Sequence, residues 1–267
     1  MFELRTAAIT LAFLLLSYWL GLYANALLPR HRRSAETIGV VRAVIGTLIT
    51  FAALILGLLT NSVKSSFDST DGNVRVFASE IIRLDQLLRA YGPEADPMRA
   101  NLRSYVSDAI AQSWPNELPP TGARPGSAPK PNRVASVLEN IAQGEMLYGI
   151  EAGIRSLDSH NGEQLQIAQD ARATMRRVIE RRWAIIESQR SSIPGPFLVI
   201  LIFWLMVIFA SFGLSGMHGL LVHVTVSLAA VSLSSVIYLI LDLDSAMTGL
   251  ISVSSAPLRD ALAHLGR

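Results

Sequence analysis

The sequence predicts an all-α integral membrane protein. Four transmembrane helices carry a helical extramembrane domain inserted between the second and the third. Three observations lead there. The 267 residues are 51% hydrophobic and 16% charged, more apolar and less charged than soluble domains usually are. Four stretches without Asp, Glu, Lys or Arg each approach or exceed the roughly 20 residues needed to cross a bilayer. The polar middle has helical periodicity, and no stretch alternates as a strand does.

The first span runs from Ala7 to Leu28. Its apolar core is too long for a secretory signal, so it reads as a retained helix. The second span runs from Ala43 to Val63, the third from Ile193 to Leu214 and the fourth from Gly219 to Leu241. The expected division is therefore 1–63 for the first two spans, 64–192 for the extramembrane domain, 193–241 for the last two spans, and 242–267 for an interfacial tail.

The middle holds sixteen basic and sixteen acidic residues, the balance of a solvated domain. A helix from about Asn73 to Tyr91 continues the second span and stops at Gly92-Pro93. Asp96 and Pro97 read as the N-cap and first residue of the next. Met98, Leu102, Tyr105, Val106, Ala109, Ile110 and Trp114 then recur at spacings of three and four, one buried face, before Pro115 ends the helix. PNELPPTGARPGSAPKPN (115–132) is a loop by composition. Further helices are expected from about Arg133 to Leu157 and from about Glu163 to Arg190, joined by the turn SHNG (159–162). The last enters the third span through IPGPF, where Pro194 and Pro196 suit a first helical turn.

Short loops vote on sidedness. Arg30, Arg32, Arg33 and Arg42 between the first two spans favour a cytoplasmic loop. That places the termini and the middle domain on the extracytoplasmic side of a bacterial inner membrane. Arg176, Arg177, Arg181, Arg182 and Arg190, ahead of the third span, vote the other way.

Three motifs stand out: LRSYVSDAIAQSWP (102–115), RRVIERRWAIIESQRSSIP (176–194) and LDLDSAMTGLISVSSAPLRDAL (241–262). Together with the two-plus-two span plan they resemble the bestrophin-like family of bacterial membrane proteins, named for a likeness to bestrophin anion channels. The resemblance covers nearly the whole chain, and the tail motif is its most specific part. It implies an oligomeric channel. The extended acidic calcium-binding segment of true bestrophins has no counterpart here; Asp242 and Asp244 are the nearest residues to one.

Two stripes carry the candidate sites. Arg42, Gly46, Thr50, Ala53, Gly57, Thr60, Asn61 and Lys64 lie along one side of the second span. Small residues there permit close helix packing. In a homo-oligomer they equally surround a pore with basic mouths, which favour anions. On the fourth span His223, Ser227, Ser234, Tyr238 and Asp242 share an arc of about 100°. They line either a hydrated path or a polar helix contact. Asp242 and Asp244 end this span in the local reading. They approach one metal ion only if the helix unwinds, and calcium needs about six oxygens or more. Ser255 is placed as the N-cap of a last helix, with Pro257 in its first turn and Gly266 at its end.

The chain has no cysteine, so thiol chemistry and disulfides are excluded. The histidines at 31, 160, 218, 223 and 264 show no metal-ligand spacing. No phosphate loop or nucleophile elbow occurs, no cofactor is implied, and an enzyme is not expected. The net charge of +2 and the glutamates interrupting the arginine run exclude a nucleic-acid partner. The partners expected are the lipid bilayer, further copies of the chain and small ions. The other reading is a non-conducting scaffold or sensor whose extramembrane helices bind a partner.

Overall fold

The computed structural model describes residues 2–27, 35–123, 141–158, 161–188, 193, 195–215, 219–247 and 249–266. Arg30, Arg32, Arg33, His31, His160, His218, Arg190 and Pro194 lie outside them, as do the second part of the proline-rich loop and the start of the helix expected from Arg133. The described residues form helices and turns, with no strand.

The helices described are α1 (Phe2–Leu27), α2 (Ala35–Tyr91), α3 (Asp96–Ser113), α4 (Ile141–Arg155), α5 (Gly162–Ser188), α6 (Gly195–Leu214), α7 (Leu220–Asp244) and α8 (Ala256–Leu265), with a 3₁₀ turn at Pro93–Ala95. α1, the first part of α2, α6 and α7 are each long and apolar enough to cross a membrane. α2 is one uninterrupted helix of 57 residues, about 85 Å long. It stops where Gly92 takes φ +119, a backbone conformation that only glycine adopts without strain, and where Pro93 cannot donate the next bond.

The chain forms two compact units, 1–65 with 191–244, and 66–190 with 245–267. In the first, Leu14 and Tyr18 of α1 pack with Leu201, Leu205 and Phe209 of α6 and with Ala230 and Ile237 of α7. α1 and α6 approach closely at two glycines. A Cβ built on Gly21 falls 2.1 Å from the Ala210 carbonyl oxygen, and one on Gly213 falls 2.3 Å from the Tyr18 carbonyl oxygen. The backbones touch because neither residue has a side chain.

In the second unit the core is built from helical stripes. Phe77, Ile81, Leu84 and Leu88 of α2 meet Leu102, Tyr105, Val106 and Ile110 of α3, with Leu147, Ile150 and Ile154 of α4 and Met175 and Val178 of α5. All seven apolar positions expected on one face of α3, Met98 to Trp114, are buried. Its start differs by one residue from the sequence expectation. The N-cap is Ala95, because the 3₁₀ turn at Pro93–Ala95 leads straight into the helix. The Asp96 carboxylate instead accepts a bond from Arg99 at 3.3 Å. Arg99 also donates to the buried Asp85 at 2.9 Å, and this bond holds its guanidinium above its ordinary pKa. Asn161 accepts from the Gln164 amide at 2.7 Å at the start of α5, as a capping side chain does.

Candidate functional site

The stripe expected on the second span lies on the outer surface of the first unit. Arg42, Gly46, Thr50, Ala53, Gly57, Thr60, Asn61 and Lys64 are all exposed. A Cβ on Gly46 or Gly57 meets nothing within 4 Å, so these glycines serve no close packing inside the chain. That role belongs to Gly21 and Gly213. The threonine hydroxyls are satisfied along the helix: Thr50 donates to the Gly46 carbonyl at 2.9 Å and Thr60 to the Leu56 carbonyl at 2.8 Å. Backbonding of this kind lets a hydroxyl sit on an apolar surface without an orphan donor. Lower on the stripe, Gly57, Thr60, Asn61 and Lys64 border an open groove of about 550 Å³ that reaches Val236 of α7.

This span is also the least covered of the four. Within its most apolar window 11% of residues are buried, against 33%, 33% and 28% for the others. Val40, Val44, Phe51, Leu54 and Leu58 remain exposed on a further side of the helix.

The stripe of the fourth span is used differently. The Ser234 hydroxyl is buried and donates to the Ala7 carbonyl of α1 at 2.6 Å. His223 Nδ1 and the Tyr18 hydroxyl share a hydrogen bond of 2.7 Å, and Trp19 stacks on the imidazole at 6.1 Å with rings nearly parallel. Tyr238 donates to Asp242 Oδ1 at 3.2 Å. Only Ser227 of the five is exposed. Two of the five, Ser234 and His223, thus bond another span of the same chain, as polar side chains between spans commonly do.

Asp242 does not end the helix, which runs on through Asp244. Asp242 is buried, 3% exposed, one turn after Tyr238. On a continuous helix two positions that are two apart diverge by about 160°, so Asp242 and Asp244 do not face one ion. Among the described residues no three His, Asp or Glu side chains gather as a metal site.

Beyond Asp244 the tail packs within the second unit. Val253, Leu258, Ala261 and Leu265 join its core. The Trp114 indole donates to the Val253 carbonyl at 2.7 Å in a buried bond. Ser255 is the N-cap residue of α8, with Pro257 in the first turn and Gly266 at the end, but its hydroxyl bonds Glu117 instead of a helix amide. Arg259 reaches the same carboxylate at 2.9 Å and the Leu118 carbonyl at 2.8 Å. Two of the three standout sequence motifs, around Trp114 and in the tail, are therefore one structural joint. Sequence reasoning missed the joint, since the partners are 139 residues apart; the signal was a buried-face Trp, whose indole N–H must find an acceptor.

A sequence profile of the Bestrophin-like domain matches residues 11–258. The chain belongs to the bestrophin-like family. No curated protein matches this bestrophin-like chain in sequence. Among solved structures, a variant of a bacterial bestrophin homolog from Klebsiella pneumoniae superposes with a TM-score of 0.61 at 16% identity, over 96% of this chain and 97% of that one. A second variant of that homolog gives 0.61 at 15% identity, over 98% and 100%. A variant described as a membrane protein gives 0.62 at 15% identity, over 96% and 97%. The fold of a bestrophin homolog thus extends over nearly the whole of this bestrophin-like membrane protein.

Proposed function

We propose that this chain assembles with copies of itself into a closed ring that passes small anions, with α2 as the lining helix. The observation that carries the reading is the state of the α2 stripe. A row of small and hydroxyl side chains, bounded by Arg42 and Lys64, stands exposed on the span that its own chain covers least. The polar and ionisable members of the row, Arg42, Asn61 and Lys64, are costly against hydrocarbon, and the row suits a hydrated axis. Basic rings at its ends attract anions. The family supports the same direction, through its likeness to bestrophin anion channels.

The ring sits in a bacterial inner membrane, with the helical domain on the extracytoplasmic side. Two of the opposing arginines have other roles within their own unit: Arg177 pairs with Glu80 at 3.1 Å, and Arg182 is buried.

The test is ion flux in reconstituted vesicles. Native protein passes anions. Gly57→Leu places a large apolar group from every copy near the axis and abolishes flux, because apolar constrictions dewet. No atom of its own chain opposes a Cβ there, so the subunit folds. Lys64→Glu shifts preference away from anions. An assembled native protein that passes neither sign of ion would favour the scaffold reading.

A further inference from the structure

The first unit contains an apolar cavity of about 260 Å³ between α2, α6 and α7. Ala52, Ala53 and Ala229 create the space by being small, and Leu205, Phe209 and Leu233 are among its walls. Every lining side chain is aliphatic or aromatic. We propose that this cavity holds one acyl chain of a membrane lipid.

Three observations select that occupant. The first is depth. Ala52 lies midway along the apolar part of α2, Leu205 midway along α6 (Gly195–Leu214) and Leu233 near the middle of α7 (Leu220–Asp244). The middle of a span lies about 15 Å from either edge of the hydrocarbon, where the surrounding solvent is acyl chain and water is scarce. The second is access. Ile49 and Phe212 also line the cavity and stay 44% and 40% exposed, so it opens to the outside of the chain. The third is size. Protein interiors seldom keep voids larger than a water molecule, and a cavity of roughly 150 Å³ already takes up benzene. At about 260 Å³ the space exceeds what one inserted aliphatic side chain of a neighbouring copy fills, whereas a flexible methylene chain adapts to it. Ala53 and Leu56 border both this cavity and the groove beside Gly57. The lodged chain therefore sets how far α2 stands from α6 and α7. The proposal does not require that the protein conduct.

The experiment uses the full chain in vesicles containing a phosphatidylglycerol with a diazirine midway along one acyl chain. A parallel arm uses a free fatty acid bearing the same group. On illumination, labelling of the α6 and α7 peptides around Leu205 and Leu233 saturates as the probe fraction rises. Labelling of the exposed Leu228 side rises linearly, as bulk lipid does. The arm that saturates identifies the source as phospholipid or free acid. Ala229→Phe fills the cavity and removes the saturable part, while Leu228→Phe leaves it. Linear labelling at every position of the native protein overturns the proposal whether or not Ala229→Phe folds. A benzophenone amino acid at Leu233 gives a second readout. Joining to lipid supports the proposal, and joining to a second copy of the chain overturns it.

Discussion

Gly213→Ala is the sharpest test of how the membrane-spanning unit is packed. Any Cβ at this position falls 2.3 Å from the Tyr18 carbonyl oxygen and 2.6 Å from the Leu22 nitrogen. An ordinary carbon–oxygen contact is about 3.3 Å or more, so α1 and α6 must separate by about 1 Å. The obstacle is backbone and cannot rotate away. Overpacking a well-packed core costs about 1–3 kcal/mol, and a backbone obstacle places this variant at or above the upper end. Separation also loosens Leu14 and Tyr18 against Phe209, all nearly fully buried. For a chain of this size about 3 kcal/mol corresponds to a fall in Tm of roughly 6–12 °C. The assay is size-exclusion chromatography of detergent-solubilised protein after stepwise heating. Gly57→Ala is the control, since nothing lies within 4 Å of its Cβ; it keeps or slightly raises the native Tm, as exposed helical Gly→Ala changes do. If Gly213→Ala melts with the native protein and with Gly57→Ala, the close α1–α6 approach is refuted.

Trp114→Phe keeps the buried ring and removes its N–H, leaving the Val253 carbonyl without that donor. A cost of about 1–3 kcal/mol is expected, read as faster protease cleavage within 245–255. Tyr105 is buried, with its hydroxyl beside Arg182 but without hydrogen-bond geometry, and burial pushes its pKa up to about 12. The folded state keeps its proton where the unfolded state, near pH 10, releases it. Stability is full below pH 10 and declines by on the order of 2–3 kcal/mol as pH rises to about 12; Tyr105→Phe abolishes this component of alkaline destabilisation, and identical alkaline profiles would count against it. Thr121→Cys, in a chain that otherwise lacks cysteine, reacts with an impermeant maleimide in cells whose outer membrane is permeabilised. Labelling only after lysis reverses the proposed orientation.

What could be read from sequence depended on contrast. The α3 face from Met98 to Trp114 alternates apolar with polar residues at helical spacing, so the buried side was legible one position at a time. The four spans were legible because a run of apolar residues needs no partner to be recognised. Within a span that same uniformity hides the partner. α6 is apolar on all sides, and nothing in GPFLVILIFWLMVIFASFGL marks Gly213 as a contact and Gly195 as not one. Polar residues in a span were legible as exceptions, but their use was not. Ser234 and His223 turned out to be bonded to α1. The tail shows the same limit at long range: its amphipathic residues were evident, while its partner, Trp114, was fixed only by the tertiary fold.

The second span has more kinds of surface than a helix in a monomer requires. At about 100° per residue, Leu48, Ala52, Ile55 and Leu59 occupy one side and pack on α1, α6 and α7. Val40, Val44, Phe51, Leu54 and Leu58 occupy a second side and are exposed. The stripe from Arg42 to Lys64 occupies a third, also exposed, where small and polar groups replace the apolar ones. A span at the rim of a monomer meets two environments, its own bundle and lipid. Lipid accounts for the Phe51–Leu54–Leu58 side and for no polar row. A close dimer through Gly46 and Gly57 accounts for the small residues, since they let backbones approach, but it buries Thr50 and Asn61 against their own copies. A closed ring supplies three environments in the required order: the subunit's bundle behind the helix, a neighbouring copy or lipid to one side, and water in front. On this reading a second substitution follows. Thr50→Val removes one hydroxyl from the water-facing side, and because that hydroxyl already bonds Gly46 within the helix, the subunit keeps its stability. Reduced flux at unchanged Tm is the expected result, and unchanged flux with altered Tm would return the stripe to a packing role.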